Sequence, residues 1–269
     1  MVKRSAETME SDIAKLWRPS GAILTAHSPK TAKGEKMGFL SAIAYLAPHT
    51  MATPKSVCPF STPACREACL YSAGTGALPR QANARAERSR LWRRDPNAFL
   101  GKVAMEIFDL QALAADAGVQ LAVRMNGTSD IFFEQYATPN GQTLMELFPS
   151  VQFYDYTKAP ISVRGPIPEN YHLTYSMAEN NAAEAAAYLR AGQSVAVVVP
   201  DDSHKIGWFM LGDTEINVED GDAHDLRFLD PPGSLVMLSP KGKAVLATEL
   251  IRPNAVKELI AAGQERAAA

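Results

Sequence analysis

The sequence predicts an α/β fold, a partial or open (β/α) barrel of about six mainly parallel strands with a cysteine-bearing loop after the first strand. Three observations predict it. Short apolar runs recur along the chain, helical stretches separate them, and polar residues stand where the runs end. The composition allows such a fold. The chain has 269 residues, is 46% hydrophobic and 21% charged, and sets 27 Lys and Arg against 29 Asp and Glu for a net charge of −2. Those values exclude a disordered polymer, a collagen-like repeat and a strongly basic nucleic-acid coat.

Residues 1–36 are read as an N-terminal extension. Residues 1–19 alternate charges with apolar residues and lack the uninterrupted apolar run of a signal peptide, so a cytoplasmic location is expected. No stretch approaches the roughly 20 apolar residues of a membrane span, and no membrane partner is expected. Residues 37–48 (MGFLSAIAYLAP) are apolar on both faces and read as the first buried strand, stopped by Pro48. Residues 49–78 are rich in Pro, Ser, Thr and Gly, hold all three cysteines and show no periodicity of their own. So long an irregular stretch is either disordered or organised by something bound, and its cysteines and apolar residues favour the second.

Pro79 opens a helix over residues 79–94, Asp95-Pro96-Asn97 interrupts it, and 98–117 reads as a second helix with Leu100, Val103, Ile107, Leu110 and Leu113 as its apolar stripe. Strands are then expected at 119–126, 151–156, 171–176 and 194–200, with helical stretches at 140–148 and 179–191. Residues 206–219 hold one or two short strands and 234–239 another. The tail 246–269 carries an Ala-rich helix from Pro253. No linker divides the chain, which is read as one domain with its core at 37–245.

In parallel α/β sheets, sites gather at the carboxyl ends of strands. Here those ends carry Asn126 and Asp130, Asp155 and Lys158, and Ser176 and Glu179. Lys158, Asp155 and Asp130 are the candidate catalytic residues; Asn126, Ser176 and Glu179 are the candidate ligand contacts. Asn126-Gly127 equally suits a turn, and Ser176 with Glu179 a helix cap. Arg124, Asp155 and Lys158 stand out because a charge in an apolar strand is costly unless paired or turned into a polar site.

Cys58, Cys65 and Cys69 form a C-x6-C-x3-C run. Three thiolates on one loop suit a soft metal centre. Zinc in a structural site needs a fourth ligand, and His27, His49, His172, His204 and His224 stand at no familiar finger spacing. A 4Fe-4S cluster held by three cysteines keeps one iron open for a small molecule, and is the favoured expectation. Inert buried thiols are the third reading.

The phrases Tyr45-Leu-Ala-Pro48, Cys58-Pro59, Val123-Arg-Met-Asn-Gly-Thr-Ser-Asp130, Phe153-Tyr-Asp-Tyr-Thr-Lys158, His172-Leu-Thr-Tyr-Ser176 and Asp225-Leu-Arg-Phe-Leu-Asp-Pro231 occur in that order. The chain thereby resembles the bacteriophage gene product 88-like family, a likeness over residues 37–245 that implies a phage or prophage origin rather than a reaction. A looser similarity is to radical SAM-type iron–sulfur partial barrels. That similarity implies S-adenosylmethionine as the ligand of the open iron, although C-x6-C-x3-C departs from that superfamily's C-x3-C-x2-C.

Two functions compete. One is an iron–sulfur enzyme with the open iron facing the polar strand ends. The other is a nucleic-acid-associated binding protein with a structural or redox-sensing metal site, contacting phosphates through Arg85, Arg88 and Arg93 beside Trp92. The slightly acidic chain favours a plainer role for that helix, as a solvated face or as arginines anchored to the fold.

Overall fold

The computed structural model describes residues 17, 19–26, 34, 36–72, 76, 78–201, 203, 206–245 and 249–267. Most of the expected N-terminal extension, together with His27 and His204, lies outside the described residues. In chain order the elements are β1 (Leu24–Thr25), β2 (Phe39–Ala44), α1 (Pro63–Glu67), α2 (Pro79–Arg94), α3 (Pro96–Asp116), β3 (Gln120–Arg124), α4 (Leu144–Leu147), β4 (Gln152–Thr157), α5 (Ile161–Arg164), β5 (Tyr171–Ser176), α6 (Ala182–Arg190), β6 (Val195–Val198), β7 (Gly207–Leu211), β8 (Thr214–Asp220), β9 (Leu235–Leu238) and α7 (Ala255–Ala267). The class is mixed α/β, as expected. The described residues hold nine strands rather than six, because β1 adds one and the 206–219 stretch supplies two. No helix among them is long and apolar enough to cross a membrane.

The chain divides into two compact units, Met1–Val57 with Asn83–Asp155 and Ile167–His172, and Cys58–Ala82 with Tyr156–Pro166 and Leu173–Ala269. In the first, β1 runs antiparallel to β2, β2 parallel to β3 from Phe39 opposite Gln120 to Ile43 opposite Arg124, and β3 parallel to β4. β2 is buried on both faces, which explains why all its residues but Ser41 are apolar. Helix α3 starts where the Asp95 side chain accepts the Ala98 N–H at 2.9 Å, with Pro96 in its first turn. It buries Phe99, Leu100, Val103, Ile107 and Leu110, a helical stripe. Gly118, at a φ of 70°, ends it: the Gly118 and Val119 N–H groups return to the Ala115 and Ala114 carbonyls. Trp92 on α2 meets Phe99, Phe133 and Tyr136 edge-on, with centroids 4.9–5.4 Å apart.

Strand β1 has two residues and is held by distant side chains. The Glu106 carboxylate accepts the Ile23 and Leu24 N–H groups at 2.8–3.0 Å, and the Arg88 guanidinium donates to the Ala22 and Tyr45 carbonyls.

In the second unit β5, β6, β9 and β8 are parallel neighbours and β7 closes the series as an antiparallel hairpin with β8. Its core sets Val195, Val197 and Leu235 of the sheet against Tyr188 and Leu189 of α6 and Leu259 of α7. Both antiparallel strands, β1 and β7, flank parallel ones, and in neither unit do the strands close into a barrel.

Candidate ligand-binding site

The second unit contains a cleft of about 520 Å³ at the ends of β4 and β5. Pro59, Phe60, Ser61, Thr62, Pro63 and Arg66 line it from the cysteine-bearing segment; Lys158, Pro160 and Tyr175 line it from the strand ends; Asn180, Asn181, Ala183 and Glu184 complete it at the start of α6. This is the carboxyl-end location that parallel topology favours.

Local chemistry organises the segment that shows no periodicity of its own. Thr62 is the N-cap of α1, accepting the Cys65 N–H at 3.2 Å, and Pro63 follows in the first turn. The Ser61 N–H and hydroxyl both donate to the Cys58 carbonyl. Glu179, just past β5, accepts the Thr62 hydroxyl at 2.8 Å and the Ala64 N–H at 3.0 Å. Burial alone would raise the Glu179 pKa. Hydrogen bonds from its own N–H, Thr62 and Ala64, with the nearby Lys158 charge, hold it below the usual carboxylate value.

Lys158 Nζ donates to the Ser176 hydroxyl at 2.5 Å and to its carbonyl at 3.2 Å, which fixes the ammonium at the cleft. Asn181 stands at the N-cap of α6 without capping it. Its side chain accepts the Ala178 N–H and donates to the Ser176 carbonyl, so the first turn of α6 has no side-chain cap. Arg66 bonds the Ser61 carbonyl and is largely exposed. The Glu184 carboxylate accepts the Ile161 N–H.

Lys158, Ser176 and Glu179 thus stand with the cysteine-bearing segment in the second unit. Asn126, Asp130 and Asp155 belong to the first unit. There Asp155, which is fully buried, accepts the Asn126 N–H at 2.7 Å and the Tyr171 hydroxyl at 2.9 Å, with Arg124 at 3.9 Å. The Asn126 amide also donates to Asp155 and to the Ile131 carbonyl, and accepts from Ser129 and the Ile131 N–H. The Asp130 N–H donates to the Val57 carbonyl. These bonds tie strand ends and loop together.

Cys58, Cys65 and Cys69 are half-buried and none is in a disulfide. Among the described residues no three His, Cys, Asp or Glu side chains are grouped as a metal requires. Three arginines of α2 are anchored to the fold: Arg85 lies over the Tyr45 ring at 5.0 Å, Arg88 holds the Ala22 and Tyr45 carbonyls, and Arg93 donates to those of Lys55 and Ser56. In the turn that follows β8, Asp222 accepts the Ser239 N–H and the Lys241 ammonium, and buried Arg227 bonds His224 and Asp230.

Arg66, Phe60 and Asn180 also line the cleft and are not among the candidate site residues read from the sequence, although Asn180 stands in the polar end of strand 171–176. Arg66 carried a readable signal, a cation inside the cysteine spacing; Phe60 had none beyond its loop.

A family model described as Gene product 88 matches residues 21–257. No curated protein and no solved structure is found to match. The family resemblance seen in the sequence is therefore borne out, whereas nothing found supports the radical SAM one.

Proposed function

We propose that this chain, which belongs to the gene product 88 family, is a ligand-binding protein that takes an anionic small molecule in the cleft of its second unit. One observation carries this reading: two cationic side chains from distant parts of the sequence, Arg66 and Lys158, line the same cleft. Lys158 is the anion contact, pinned by Ser176, and Arg66 the second arm. Glu184, which also lines the cleft, accepts the Ile161 N–H, and Glu179 accepts the Ala64 N–H, so both carboxylates of this region are held by backbone donors. The uncapped first turn of α6 adds partial positive charge on the same side.

Isothermal titration of the full chain with orthophosphate and with a small dicarboxylate tests this. Binding is expected to weaken roughly tenfold or more in both Lys158→Met and Arg66→Ala. Parent-like affinity in both variants, or no binding of either anion, overturns it.

A second reading keeps the cysteines as cluster ligands. Its support is that all three thiols belong to the segment that lines the cleft, with Cys65 inside α1 and Cys69 two residues past its end. Reduced thiols suit a cytoplasmic setting. Stoichiometric iron and sulfide after anaerobic purification, lost in Cys65→Ala, would establish this reading; metal-free protein ends it.

A further inference from the structure

We propose that the anion bound in this cleft is carried on a flat ring, so that a nucleoside monophosphate is a ligand of the right class and inorganic phosphate only a fragment of it. This rests on the anion reading above and specifies it.

The first argument is size. A cleft of about 520 Å³ falls within the range that holds organic ligands, roughly 300–1,000 Å³, and leaves most of its space empty around a single oxyanion. The second is the chemistry of its walls. Pro59, Phe60, Pro63 and Pro160 present ring surfaces with no hydrogen-bonding side-chain group. A wall of proline and aromatic rings offers a flat ligand stacking and dispersion contact over its face, and offers a bare anion nothing.

The third is stiffness. Three of those four residues are prolines with a fixed φ, and the segment carrying Phe60 and Pro63 is pinned by Glu179 to Thr62 and Ala64. A wall already ordered loses little entropy when a ring is laid against it, which is the condition under which apolar contact converts into affinity. The fourth is the polar inventory. Beyond the two cations and the Glu184 carboxylate the lining supplies Asn180 and Asn181, whose amides both donate and accept, and the Ser61 and Thr62 hydroxyls, which donate to Cys58 and Glu179 and keep acceptor capacity. Those neutral groups match the edge of a heterocycle or the hydroxyls of a sugar. A fully ionic ligand has no use for them.

Equilibrium dialysis of the full chain against orthophosphate, ribose 5-phosphate, AMP and adenosine tests the inference. AMP is expected to bind at least about tenfold more tightly than ribose 5-phosphate, the scale of one base stacked on an aromatic side chain. Phe60→Leu keeps the apolar volume and loses the flat face. It is expected to remove that excess for AMP while ribose 5-phosphate binds as before. Lys158→Met is expected to weaken both. Equal affinity for AMP and ribose 5-phosphate, or an AMP preference untouched in Phe60→Leu, overturns the ring and leaves the anion reading standing. Adenosine binding as tightly as AMP, or no phosphate-bearing probe binding at all, overturns the anion reading itself.

Discussion

Glu179 holds Thr62 across 117 residues of chain: one carboxylate oxygen accepts the Thr62 hydroxyl and the other the Ala64 N–H. Thr62 in turn caps α1 through Cys65, so one side chain from the end of β5 fixes the start of the helix between the cysteines. Glu179→Ala is expected to release this segment. Limited trypsinolysis, read by cleavage after the exposed Arg66, should speed up several-fold in the variant, and an unchanged rate would show that the segment stands without Glu179. Because the folded carboxyl has a depressed pKa, its stabilisation is present above the unfolded value of about 4.3 and is lost as pH falls through the lower folded value. The stability difference between parent and variant should therefore shrink in acid.

A similar dependence ties Glu106 to β1. Truncating Glu106 to Ala leaves the Ile23 and Leu24 N–H groups without their acceptor, and each buried orphan costs about 1–3 kcal/mol. Urea unfolding of Glu106→Ala should show that loss, and amide exchange should accelerate first at Leu24.

Asp230 behaves in the opposite sense to Glu179. Burial lifts its pKa to about 6 against the opposing pull of Arg227, with Glu219 adding to the rise. A raised carboxyl gives stability that is full below the unfolded pKa of about 3.9 and lost as pH climbs through about 6. The urea midpoint of the parent, relative to Asp230→Asn, should fall between about pH 4 and about pH 7. A constant offset across that range would count against this account.

Gly127 has no room for a side chain. A Cβ there would lie 2.7 Å from the Ala44 carbonyl oxygen and from Tyr45 Cδ1, and 2.8 Å from Ile43 Cγ2. The Gly127 N–H donates to the same carbonyl at 2.9 Å, so the backbone cannot back away without breaking that bond. Gly127→Ala should cost about 1–3 kcal/mol, visible as a lowered Tm.

What could be read from the sequence was whatever a local pattern encodes. β2 announced itself by residues apolar on both faces, and α3 by its stripe from Leu100 to Leu110 between Asp95 and Gly118. Strand β1 had no such pattern: its two residues are strand because Glu106 and Arg88, far along the chain, engage that backbone. Helix α1 was hidden in the irregular segment by its brevity, although Thr62-Pro63 is a cap followed by a first-turn proline. Polar strand ends pointed equally to Lys158 and to Asp155. Only the fold separates a lysine lining a cleft from an aspartate engaged by Asn126 and Tyr171. The arginines of α2 show the same limit, since charge is legible in sequence and the carbonyl it serves is not.

The aromatic cluster around Trp92 gives the protein a built-in optical label. Trp92, in the first unit, is 3% exposed and ringed by aromatics, whereas Trp208, on β7 of the second, is 64% exposed. Acrylamide reaches the second indole and not the first. With Trp208→Phe the remaining emission, from Trp92 and half-buried Trp17, reports the first unit alone, and with Trp17 and Trp92 both replaced by Phe the emission of Trp208 follows the second. The unfolding of the two units can thus be followed separately, one variant for each.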